Sequence, residues 1–137
     1  MITILPPGKN ALKKAGLVNL KGKIKKMTVD KEQVEKMIYS ENKQSVIDGM
    51  LGMTFSSEED EIPWISEKLT ELSKHKDLDI ARLSLTCFGH LARMHENIGD
   101  CDKVIALLLS KQGDPDFQGF AEDALDEISL FIFKKRP

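Results

Sequence analysis

Three stretches of eleven residues, "NKQSVIDGMLG" (42–52), "DIARLSLTCFG" (79–89) and "DFQGFAEDALD" (116–126), align at a constant spacing of 37 residues. Val46, Leu83 and Phe120 coincide, then Ile47, Ser84 and Ala121, then Met50, Cys87 and Ala124, then Leu51, Phe88 and Leu125. Within each stretch the apolar positions recur at three- and four-residue steps, the spacing of one helix face. A helix repeated at this period, with space for a second helix between copies, predicts three helical hairpins. A lone hairpin would leave its apolar face in water, so the three are expected to stack.

Outward from these stretches, the same periodicity predicts helices over about 29–39, 42–54, 62–75, 78–96, 101–111 and 115–133. Pro63 suits a first helical turn, where its missing N–H costs nothing, and the acids of "EEDE" (58–61) favour the positive end of that helix. Asp77-x-Asp79 and Asp114-x-Asp116 coincide in the repeat, and each is expected to cap the second helix of its unit. Gly113 is expected to stop the fifth helix, and Pro115 to enter the first turn of the sixth. No stretch alternates like a strand between hairpin turns. The predicted class is all-α, a short right-handed α-solenoid of about three HEAT-like hairpins spanning 28–137.

Residues 1–27 have neither periodicity. They hold seven lysines and no acid, with Pro6-Pro7-Gly8 near the start, and are expected to form a basic, flexible N-terminal segment. The formal net charge of −2 therefore hides a division: +7 in that segment, and −9 in residues 28–137, where thirteen basic groups face all twenty-two acids. An acidic body repels nucleic acid and attracts a basic partner. With 137 residues, 41% of them hydrophobic and 31% charged, the chain has the make-up of one folded domain. The longest apolar run, "VIALLL" (104–109), is far short of a membrane span. Pro6 and Pro7 interrupt any secretory h-region, so a cytoplasmic location and reduced Cys87 and Cys101 are expected.

"LTCFGHLARMHEN" (85–97) gathers a cysteine, two histidines and an arginine, types that invite a metal or catalytic reading. On a helix, Ile80, Leu83, Cys87, Leu91 and Met94 line one face, and Ala81, Ser84, Leu85, Phe88 and Ala92 widen it to roughly 200°. So wide an arc fits an element covered on both flanks, with Cys87 as core filling. His90 and His95 lie about 140° apart around the helix and cannot share a metal as an i, i+4 pair would. His90, beside Arg93 at the edge of the arc, fits either a hydrogen-bonding histidine or a partner contact. Gly89 leaves bare backbone for close approach of a helix or a partner.

In the last helix Phe117, Phe120, Ala121, Ala124, Leu125, Ile128, Phe131 and Ile132 form the expected buried arc. Glu122, Asp123, Asp126 and Glu127, followed by Leu130 and Phe133, occupy the other side. They fit either a solvated face or an acidic protein-binding patch, the latter on the concave side where solenoids bind. The chain has no G-x-S-x-G, P-loop, G-x-G-x-x-G or H-E-x-x-H, and its paired acids crowd one side of one helix. No catalytic residue, metal ligand or cofactor is expected. A DNA-processing enzyme is disfavoured by the acidic body with one Trp and one Tyr.

Residues 79–131 resemble a group of small HEAT-like bacterial proteins in which a "TC-aliphatic-GHLAR-x-H" helix, a "VI-x-x-L" helix and a "D-P … EDALDDI" helix follow in order. Thr86, Cys87, Gly89, His90, Leu91, Ala92, Arg93 and His95 match the first motif, and Glu122, Asp123, Ala124, Leu125 and Asp126 the last. Phe88 replaces the aliphatic, and Glu127 the second Asp. Some members of that group are immunity proteins of contact-dependent growth inhibition and related polymorphic toxin systems. The resemblance covers about 28–133 and implies binding of a cognate toxin's nuclease domain. Glu122, Asp123, Asp126 and Glu127 would be the electrostatic contacts, with His90 and Arg93 beside them. The alternative is a HEAT-repeat adaptor for another basic protein. Residues 1–26 have no counterpart in the group. A monomer or weak dimer is expected, any pairing using an edge with Met50, Met53 and Phe55.

Overall fold

The computed structural model describes residues 30–134; the basic segment 1–27 falls outside them. Every α-helix expected from the sequence is present, and the described residues contain no strand. The chain divides after Glu58 into two compact units.

In the first unit α1 (Lys31–Ile38) packs on α2 (Lys43–Phe55). Each begins at a residue whose side chain satisfies an otherwise unpaired amide: Asp30 accepts from the Gln33 N–H at 3.1 Å, and Asn42 from the Ser45 N–H at 3.1 Å. Val34 and Ile38 are the buried positions of α1, one helical turn apart. They meet α2 near Gly49, where an added Cβ would lie 2.9 Å from Met37 Cβ and 3.0 Å from Ile38 Cγ2. Only a residue without a side chain permits that approach. The expected exposed edge is corrected here: Met50 and Met53 are both 0% exposed, and Phe55 is half-buried. The buried positions of α2, Val46, Gly49, Met50, Gly52, Met53 and Thr54, cover roughly 200° of its circumference at about 100° per residue.

The second unit opens with a 3-10 turn, Glu59–Glu61, followed by α3 (Ile62–Leu72), α4 (Leu78–His95), α5 (Cys101–Gln112) and α6 (Gln118–Phe131). Helix α3 packs on α4 and α5 on α6, while α4 and α6 share the broadest contact in the unit. Two hairpins are thus joined chiefly through their second helices. Ile65 and Leu69 of α3, Leu85, Phe88 and Leu91 of α4, Leu108 of α5 and Ala121 of α6 are all 0% exposed. Pro63 takes the first turn of α3, as its missing N–H allows. Asp77 caps α4, accepting from the Asp79 and Ile80 amides at 2.9 and 3.3 Å, and Asp100 caps α5 through the Lys103 amide. Between α4 and α5, Gly99 has φ +84°, and a Cβ there would lie 2.8 Å from Ser66 Cβ. Left-handed backbone and close packing together select glycine.

The start of α6 differs from expectation. Asp114 spends its side chain on the Asp116 amide at 2.9 Å, and its carbonyl accepts from the Phe117 and Gln118 amides. That turn absorbs Pro115, so the helix begins at Gln118 with Phe117 as N-cap and no side-chain cap. Phe117 is 8% exposed; burying its ring and closing the turn displace the cap. Among the repeat positions, Met50, Cys87 and Ala124 are buried in all three copies. Cys87 is accordingly a core residue.

Candidate partner-binding face

Two arginines of α4 hold residues 34 positions on, one in the turn before α6 and one in α6. Arg82 Nε donates to the Asp116 carbonyl at 2.8 Å, with its guanidinium 5.4 Å from the centre of the Phe120 ring. Arg93 donates to the Glu127 carboxylate in an ion pair. Because both ties keep the same offset three turns apart, α4 and α6 run in the same direction and in register. Between the ties lies Gly89, where an added Cβ would be 3.5 Å from Glu127 Cγ and 3.6 Å from Ala124 Cα. These are ordinary contacts, so a methyl group would fit; the stem of Glu127 crosses the bare backbone of Gly89 to reach Arg93 one turn further on. A third link, Lys134 Nζ to Glu96 Oε2 at 2.6 Å, joins the C-terminal ends. Glu96 there ends α4 in the left-handed conformation, φ 54°.

The same fold occurs elsewhere. A chain in the crystal structure of a CDI complex from Cupriavidus taiwanensis LMG 19424 superposes with a TM-score of 0.68 at 24% sequence identity, over 81% of this chain and 96% of that one. No protein-family model and no curated protein matches the sequence.

The six residues singled out in the sequence share this pair of helices but differ in state. His90, Arg93 and Glu127 form one cluster across the seam. His90 is half-buried, and its pKa lies below the ordinary 6.5, first because burial disfavours the charged ring and then because Arg93 is close; Glu127 opposes the shift. The hydrogen bond from Arg93 to Glu127 pushes the guanidinium pKa up. Glu122 accepts from Gln118 Nε2 at 3.2 Å, one turn back on its own helix. Asp123 and Asp126 are exposed, and neither joins an ion pair among the described residues. Four apparently equivalent acids thus resolve into one neutralised by α4, one tied along α6, and two facing water.

In the expected buried arc of α4, Leu83 is only partly buried and Met94 leaves the arc. Met94 is 41% exposed, since it lies in the last turn, at the open margin of the arc. In α6, Ala121, Ala124 and Ile128 are buried, while Phe120, Leu125, Phe131 and Ile132 are only partly so. Leu130 and Phe133 are exposed, at 44% and 49%. No group of three or more His, Cys, Asp or Glu among the described residues is placed to hold a metal ion. At the start of α5 the Cys101 thiol is pushed up, by burial first and then by Asp102 and Asp100, the opposite of what a nucleophilic thiolate needs. No described helix is long and apolar enough to cross a membrane. The pairing of Arg93 with Glu127 could not be read from the sequence, because it joins residues 34 apart while the repeat has a period of 37.

Proposed function

We propose that this chain is a HEAT-like immunity protein that binds a cognate bacterial toxin in the cytoplasm and blocks it stoichiometrically, without catalysis. The observation that carries this is the likeness, over most of both chains, to a chain found in a CDI complex. The motif helices support it, because α4 and α6 bear the "TCFGHLARMH" and "EDALDE" signatures side by side. So does charge: Asp123 and Asp126 are uncompensated on a body of net −9. A toxin nuclease holds a basic cleft for its phosphodiester substrate, and an acidic surface seated there would exclude RNA or DNA and be steered in by attraction. A stack of three hairpins would place the acids of the third on the binding side of a short right-handed solenoid. The partner contacts would be Asp123 and Asp126 directly, with Glu122, Glu127, His90 and Arg93 around them.

The test is binding and protection. The purified chain is mixed with the toxin domain encoded beside its gene, and cells producing that domain are challenged with and without the chain. Tight one-to-one binding and restored growth are expected. Substituting Glu122, Asp123, Asp126 and Glu127 together by Lys should abolish both; unchanged binding by that variant would remove the acidic patch from the mechanism.

A further inference from the structure

Of the six exposed large hydrophobic side chains among the described residues, three stand at the C-terminal ends of α4 and α6: Met94, Leu130 and Phe133. The two ion pairs bracket them along the chain. Arg93 and Glu96 flank Met94 on α4, and their partners Glu127 and Lys134 flank Leu130 and Phe133. On the helical wheel of α6, Leu130 projects between the directions of Asp123 and Asp126, one to two turns beyond them. Glu127 and Glu96 are neutralised in place, so Asp123 and Asp126 are the uncompensated charges beside this apolar end. An exposed apolar group rimmed by charge marks an interaction surface, and cross-linking of the two helix ends fixes it before any partner arrives.

We infer that the contact surface is this apolar end, Met94, Leu130 and Phe133, rimmed by Asp123 and Asp126, and that its occupant is a protein surface carrying an apolar side chain flanked by lysine or arginine. The inference rests on the binding role proposed above and changes what carries it. The acids steer and orient; the apolar group anchors. Arg93 and Glu127 act as positioning residues, since their charges are spent on each other.

The experiment uses the full chain and the toxin domain encoded beside its gene, with affinity measured by calorimetry and rates by stopped flow. Leu130→Ala is expected to weaken binding by about tenfold or more, mainly through faster dissociation, with Met94→Ala and Phe133→Ala smaller in the same direction. Asp123→Lys with Asp126→Lys should instead slow association and flatten its salt dependence. Arg93→Glu combined with Glu127→Arg should recover much of what either change loses. Leu109→Ala, an equally exposed site on α5 (54%), serves as the control and should bind like the original chain. If the original chain binds and the triple variant Met94→Ala, Leu130→Ala, Phe133→Ala binds equally well, this inference is overturned and the binding role stands. An equal loss from Leu109→Ala overturns it too. If the original chain does not bind, the binding role itself fails.

Discussion

Two helix crossings are built over a glycine, and they use it differently. At Gly49 the α1 backbone and the first atoms of its side chains lie so close that a methyl group would fall within 3.0 Å of two carbons. At Gly89 the nearest atom of α6 is the flexible stem of Glu127, at an ordinary 3.5 Å. The first crossing is fitted by shape at its glycine, whereas at the second an ion pair is laid across a gap of normal size. A glycine in a helix thus signals close approach in both cases, but only at Gly49 is the missing side chain a steric necessity.

Substitution is the sharpest way to break the comparison. Gly49→Ala should destabilise by about 1–3 kcal/mol, because Met37 Cβ and Ile38 cannot swing aside without moving α1; chemical denaturation would measure it. Arg93→Ala should cost less, roughly 0.5–1 kcal/mol, since the pair is half exposed to solvent, and a double-mutant cycle with Glu127→Gln should recover that amount as coupling. Gly89→Ala should be neutral or stabilising by up to about 1 kcal/mol, the methyl fitting and the helix gaining propensity. Gly89→Leu would push the Glu127 stem aside and remove the coupling to Arg93.

Acid gives the smallest effect and separates the crossings again. The folded-state pKa of His90 is lowered, so the unfolded chain binds its proton first as pH falls through 6.5. Its contribution to stability is complete above that pH and is lost below it. His90→Gln should flatten this part of the stability profile between pH 7 and 5, whereas Gly49→Ala should shift the whole curve without changing its shape.

Much of the helical architecture was legible because each boundary carries its own chemistry. Asp77 sits where its side chain can take an orphan amide and Pro63 where its missing N–H is harmless, both as expected; Asp30, Asn42 and Asp100 prove in the structure to cap their helices in the same way. The start of α6 was illegible for the same reason reversed: Asp114 has the cap's chemistry but serves a turn, a choice set by burial of Phe117. Periodicity sorted inside from outside well in the middle of helices, as with Cys87 and Phe88, and poorly near ends, as with Met94. The candidate face was legible as composition only. Nothing local in "EDALDE" separates Glu127 from Asp126; the difference comes from Arg93, 34 residues away.

The two arginine ties have a consequence for how the chain can change in length. Arg82 and Arg93 are eleven residues apart on α4, about three turns, and their partners Asp116, in the turn before α6, and Glu127 are eleven apart too, so the pair acts as a caliper. Residues added at Gly113, ahead of the Asp114–Gln118 turn that holds Asp116, leave both jaws untouched. One residue inserted between Arg82 and Arg93 would rotate one jaw by about 100° relative to the other, so one tie must open. Insertions should therefore be accepted at Gly113 and rejected between the arginines, where the length of α4 is held by its two ties, and within the turn from Asp114 to Gln118.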